Sequence, residues 1–177
     1  ASGSASVRAY GSVFVRLFGA KAVNATKQVI IAIHGVLSAK VEGGQQIKLE
    51  TFKTPAEWCD YYGVEVKDGI ATVYKSLNSD FVSQHGTSYA PGTIPSAPDW
   101  DGGKRECGAG LHFSPTPAMA EKFNRGQKWV ACQVALKDMA VHPDGNYPDK
   151  CKARGCCAPC VEVDIHGRVI EPAKKAA

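Results

Sequence analysis

From Val7 onward the chain repeats a pattern of apolar and polar positions every eight residues: VRAYGSVF, VRLFGAKA, VNATKQVI, IAIHGVLS. Val7, Val15, Val23 and Ile31 form one apolar column, and Ala9, Leu17, Ala25 and Ile33 form a second, two places later. Side chains two apart on a strand share a face, so each copy predicts a short strand with one apolar side. Gly11 and Gly19 fall together where a turn is needed. Stacked copies bury a stripe that no single copy can bury alone. The pattern predicts a β-solenoid or a β-meander over residues 1–42. Alternation is already under way at Ala5. Further repeats before Ala1, or burial of that edge by a second copy, are therefore expected.

The periodicity changes past Glu42-Gly43-Gly44-Gln45-Gln46. Thr54 as N-cap, Pro55 at the first helical position, Glu57 three residues after the cap and Gly63 as terminator predict a helix over 55–62. Trp58 and Tyr62, four apart, share its core face. Segments 64–66 and 70–74 alternate as strands about an Asp68-Gly69 turn. Residues 83–105 are rich in Gly, Pro, Ser and Asp, and so long a segment points to a binding loop rather than a connector. Thr116-Pro117 opens a second helix toward Gly126, 129–136 reads as a central strand, and 161–170 reads as a closing hairpin turning at His166-Gly167. Without regular strand–helix–strand alternation the fold class is α+β. The expected organisation is a β-repeat segment over 1–42, a mixed α+β domain over 47–171 and a tail over 172–177.

Composition narrows the function. Apolar content of 44% and charged content of 21% are those of a globular chain, and the net charge of +4 is too small and too dispersed for a dedicated nucleic-acid binder. The tightest basic cluster, Lys150, Lys152 and Arg154, reads as a solvated loop. No run of about twenty apolar residues suits a spanning helix. Residues 1–6 lack the basic start and apolar run of a secretory signal, so membrane attachment and signal-directed secretion are not expected.

The seven cysteines cannot all pair with one another, and four of them fall between Cys151 and Cys160. Thiolates available to a metal in a reducing compartment are the simpler account. Cys157-Ala-Pro-Cys160 is a C-x-x-C unit and Cys107 with His112 a C-x4-H unit, so zinc on Cys107, His112, Cys157 and Cys160 is predicted, with Cys151, Cys156 and Cys132 as alternates for one position. Cys132 also alternates with Val130 and Val134, and Cys59 sits on the first helix; both suit small buried apolar residues. No H-x-E or H-E-x-x-H spacing occurs, so the predicted zinc is structural.

Two resemblances add expectations. Val73-Tyr74-Lys75, His85-Gly-Thr-Ser-Tyr89, Gly110-Leu-His-Phe-Ser-Pro-Thr-Pro117 and a late Glu162 resemble, in order, the segments that surround NAD in ADP-ribosyltransferases. That likeness, over roughly 70–165, implies that Lys75 or His85 contacts the dinucleotide, Ser114 lies at the nicotinamide pocket and Glu162 polarises the ribose. The plainer alternative makes Ser114 and Thr116 helix caps and Glu162 a solvent-facing hairpin residue. Glu106-Cys-Gly-Ala-Gly-Leu-His-Phe-Ser-Pro-Thr-Pro117, Tyr147-Pro-Asp-Lys150 and Glu162-Val-Asp164 resemble accessory proteins of bacteriophages that infect actinobacteria. That likeness implies a phage particle or the cytoplasm of an infected host. The expected protein is a self-assembling, homo-oligomeric phage structural or accessory protein with a structural zinc and an unknown protein partner. The alternative is an ADP-ribosyltransferase-like enzyme that uses NAD.

Overall fold

The computed structural model describes residues 6–17, 20–34 and 40–171. Ala5, Gly19 and the tail at 172–177 lie outside the described residues. The chain forms two compact units, Ala1–Thr51 and Phe52–Ala177.

Among the described residues the first unit contains four strands: β1 (Ser6–Ala9), β2 (Phe14–Leu17), β3 (Ala22–Ile33) and β4 (Val41–Lys48). All of their pairings are parallel. β1 lies on the first part of β3 with Ser6 opposite Ala22, and β2 lies on the last part with Phe14 opposite Ile30. Both offsets are sixteen residues, two of the eight-residue copies. Copies next to each other in sequence therefore lie end to end, and alternate copies stack. Both apolar columns face inward: Leu17, Val23 and Ile31 are fully or almost fully buried, with Ala9, Ala25 and Val29, while Val7, Val15 and Ile33 pack against them. The Glu42–Gln46 stretch lies within β4, so the unit extends through it to Thr51. A bulge separates the two halves of the β3–β4 pairing. Gly43 sits there with φ of +74°, and a Cβ would stand 2.0 Å from the Ala25 carbonyl oxygen, which restricts the position to glycine.

The second unit is mixed, with few helices and several short strands. Helix α1 (Pro55–Tyr62) has the predicted bounds. Thr54 Oγ1 accepts from the Glu57 amide at 3.2 Å, and Glu57 Oε2 accepts from the Thr54 amide at 3.1 Å. The helix buries Trp58 and Cys59 and packs the Trp58 ring on Tyr62 at 5.2 Å. β5 (Val66–Lys67) and β6 (Ile70–Leu77) are joined by Asp68 and Gly69, both at positive φ. β8 (Lys128–Ala135) pairs with β6, and β11 (Val161–Val163) pairs with β8, giving an antiparallel sheet in the order β11-β8-β6-β5. Its inner face carries Ala71, Val73, Leu77, Val130, Cys132 and Val134.

A second antiparallel sheet is built from three-residue strands: β7 (Leu111–Phe113), β9 (Met139–Val141) and β10 (Cys151–Ala153), with β10 central. The helix expected from Thr116 to Gly126 is one turn, α2 (Pro117–Ala120), with Thr116 Oγ1 accepting from the Met119 amide at 3.1 Å. Of the Lys150, Lys152 and Arg154 cluster, read as a solvated loop, only Arg154 is exposed. Central placement of β10 buries Lys152 completely and leaves Lys150 8% exposed. Lys152 Nζ donates to the Arg105 carbonyl at 2.7 Å and lies 3.4 Å from Asp101 Oδ1, so its charge is satisfied by the folded 99–110 loop. Among the described residues no helix is long and apolar enough to cross a membrane.

Candidate functional site

Two groupings of reactive side chains occur in the second unit. The first is a knot of sulfur. Cys132 points inward from the middle of β8, and the 156–160 segment is laid against it by backbone hydrogen bonds from Cys156 to Pro95 and from Cys160 to Thr93. The Sγ atoms of Cys132, Cys156 and Cys160 all lie within 4.8 Å of one another, with Cys132 and Cys160 3.5 Å apart. Hydrogen bonding with Cys132 and Cys156 lowers the Cys160 pKa. Those same bonds, together with burial, raise Cys132. None of the seven cysteines is in a disulfide.

These sulfurs suit a soft divalent ion. Tetrahedral zinc with Zn–S near 2.3 Å spaces its sulfurs about 3.8 Å apart, close to the separations here. Among the described residues no fourth His, Cys, Asp or Glu atom joins the group.

Of the four predicted ligands, only Cys160 is in this cluster. Cys157 is turned outward: its amide and its thiol both donate to the Gln133 carbonyl, at 2.9 and 3.3 Å. Cys107 Sγ accepts from Lys150 Nζ at 3.2 Å, and His112 sits on β7. Cys107, His112, Cys157 and Cys160 therefore do not converge. Two of the named alternates, Cys132 and Cys156, take the places given to Cys107 and Cys157.

The second grouping is a cavity of about 310 Å³ where the two sheets meet. A reciprocal backbone bridge between Tyr74 and Ser114, both bonds 2.9 Å, ties β6 to the end of β7 and places Lys75, His112 and Ser114 on its wall. A tight turn closed by Gly86 N donating to Ser83 O supplies His85. Cys107, Phe123, Tyr147 and Lys150 complete the opposite side.

Lys75 occupies the inward column of β6, between Val73 and Leu77. Its Nζ donates to the His112 carbonyl at 2.8 Å and lies 5.1 Å above the Tyr89 ring. Burial lowers its pKa to about 8. Burial, with the charges of Lys150, Lys75 and Lys152, lowers His112 to about 4, so the imidazole is neutral at physiological pH. His112 Nε2 is buried without a hydrogen-bond partner.

Three of the four residues proposed for the enzymatic alternative, Lys75, His85 and Ser114, thus line one cavity. Glu162 does not line it. It stands on β11 in a 2.6 Å ion pair with Lys128. Lys150 escaped sequence reasoning, because a lysine flanked by charges and cysteines looks solvated. The signal in β6 was available: a lysine interrupts an otherwise apolar inward column.

No protein-family model, no curated protein and no solved structure matches this chain.

Proposed function

We propose that the chain is a self-assembling phage accessory protein, with a β-solenoid stem in the first unit and a zinc-stapled α+β head in the second. The observation that carries this reading is the parallel pairing throughout, with β1 and β2 each offset by sixteen residues from their partners on β3; the β3–β4 pairing departs from that offset at its bulge. Antiparallel neighbours would make a meander, whereas parallel copies with an intervening strand make a coil. Among the described residues β1 and β2 have a strand partner on one side only. Such an edge, continuous with an apolar column, suits addition of a further rung from a second copy. The phage setting rests on the likeness at 106–117, 147–150 and 162–164, and the free thiols suit a host cytoplasm.

Zinc is the ion assigned to Cys132, Cys156 and Cys160, where it would cross-link β8 to the 156–160 segment and add its binding energy to folding. Elemental analysis of the purified protein tests this. About one zinc per chain is expected, lost in Cys132→Ser and Cys160→Ser and kept in Cys107→Ser; Cys157→Ser reports whether a fourth thiolate joins. A metal-free, folded wild type removes the staple. Light scattering that shows a strict monomer removes the assembly.

One observation favours the enzymatic alternative: the convergence of Lys75, His85 and Ser114 on a single cavity. Transfer of label from NAD to lysate proteins, abolished by Glu162→Gln, is the result that reading needs. Equal transfer by both forms, or none, eliminates it.

A further inference from the structure

The cavity between the sheets has an unusual charge inventory. Lys75 and Lys150 line it with His85 and His112, and no aspartate or glutamate does. Neither lysine has a carboxylate within ion-pair distance among the described residues. Lys75 Nζ rests on a carbonyl and over the Tyr89 ring, while Lys150 Nζ contacts the Cys107 sulfur and lies 4.9 Å above the Tyr147 ring. Asp149, next in sequence to Lys150, is taken by Lys122 at 2.9 Å.

Two ammonium groups in a recess without a counter-charge are costly to keep dry, and an anion arriving there gains more than it would at an open surface. The buried, unpartnered Nε2 of His112 and the hydroxyl of Ser114 add polar atoms on the same wall. Phe123 and Tyr147, edge to face at 5.5 Å, also line the cavity beside the Lys150 ammonium.

We infer that this cavity binds a small organic phosphate monoester with an aromatic body, its phosphate held by Lys75 and Lys150 and its ring lying against Phe123 and Tyr147. A volume of about 310 Å³ is at the lower end of small-molecule sites and fits a compact ligand rather than a polymer. Two ammonium groups without a counter-charge favour a phosphate monoester over a carboxylate, because the monoester carries about −1.5 to −2 charge at neutral pH where a carboxylate carries −1. The inference rests on neither the zinc nor the assembly.

Calorimetric titration of the full chain with phenyl phosphate, inorganic phosphate, benzoate and phenol tests it. Phenyl phosphate is expected to bind at least about tenfold more tightly than each of the other three, because only it offers both a phosphate to the lysines and a ring to Phe123 and Tyr147. Lys150→Gln should weaken phenyl phosphate by about tenfold and leave phenol unchanged, with Phe123→Ala acting on phenyl phosphate but not on inorganic phosphate. Lys75→Gln is the second cationic variant, and the thermal midpoint followed by tryptophan fluorescence separates lost binding from lost folding. Phenyl phosphate binding no tighter than phenol, an unchanged affinity in folded Lys150→Gln, or a preference for benzoate would each overturn the assignment. Loss of zinc or a monomeric state with phenyl phosphate binding intact would count against the proposed function and leave this inference standing.

Discussion

The two units reach a stable core by different means. In 6–33 each strand meets the copy sixteen residues away, so its environment repeats along the stack and its core is made of valine, isoleucine, leucine and alanine. In 52–171 short strands are fixed by polar groups that reach across long stretches of chain: Trp58 Nε1 donates to the Pro148 carbonyl at 2.9 Å, Lys75 to His112, Lys152 to Arg105. A periodic core needs few individual anchors, and in this one His34 is the buried titratable group among the described residues. An aperiodic core must pin its loops one by one, and two of the pinning groups, Lys75 and Lys152, are titratable. Both the sulfur cluster and the cavity lie in this second unit.

All three tryptophans, Trp58, Trp100 and Trp129, belong to the second unit, so indole fluorescence reports that unit alone, while far-ultraviolet dichroism reports both. The largest effect is expected for Trp58→Ala. Loss of a fully buried ring and its hydrogen bond should cost about 3–5 kcal/mol in urea melts read by fluorescence. Leu17→Ala, at a fully buried position of the stack, should cost about 2–4 kcal/mol in the dichroism transition and leave the fluorescence midpoint unmoved. A shift of that midpoint would show that the units do not unfold independently.

The smallest effect is pH-dependent. His112 and His34 both titrate near 4 in the folded chain, lowered first by burial and then by neighbouring cations: Lys150 for His112 and Arg16 for His34. As pH falls from about 6.5 to about 4 the unfolded chain takes up each proton first, so each unit loses stability across that window, by roughly 1–2 kcal/mol after allowance for solvent screening. His112→Asn should flatten this acid limb in the fluorescence transition, and His34→Asn should flatten it in the dichroism transition only. An acid limb unchanged by both variants would mean that these imidazoles are not the groups responsible.

What the sequence showed on inspection was whatever depends on near neighbours. The cap residues Thr54, Pro55 and Glu57, the Asp68-Gly69 turn and the two apolar columns each follow from spacings of four residues or fewer, or from a short period. The three-residue strands β7, β9 and β10 have no room for a detectable period, and their pairing brings residues about forty apart into register. The sulfur set failed for a related reason. A step of one residue along a chain reverses the side on which a side chain points, so the choice between Cys156 and Cys157 depends on where Pro95 and Gln133 accept their hydrogen bonds. Cys132 looked like core from its alternation with valines. It is core, and it is a candidate ligand as well.

The sixteen-residue offset also makes the β1, β2 and β3 part of the first unit a ruler with uniform graduations, which stop at the bulged β3–β4 pairing. Removing or inserting one such length within 7–33 carries Val7 onto the position of Val23 and Val15 onto that of Ile31, so every side chain keeps its inward or outward sense. A change of eight would exchange the places of β1 and β2 along β3, and a change of one would turn the apolar columns to water. Length in this part of the molecule can therefore vary in whole steps at little cost, while the second unit has no comparable increment by which it could grow or shrink.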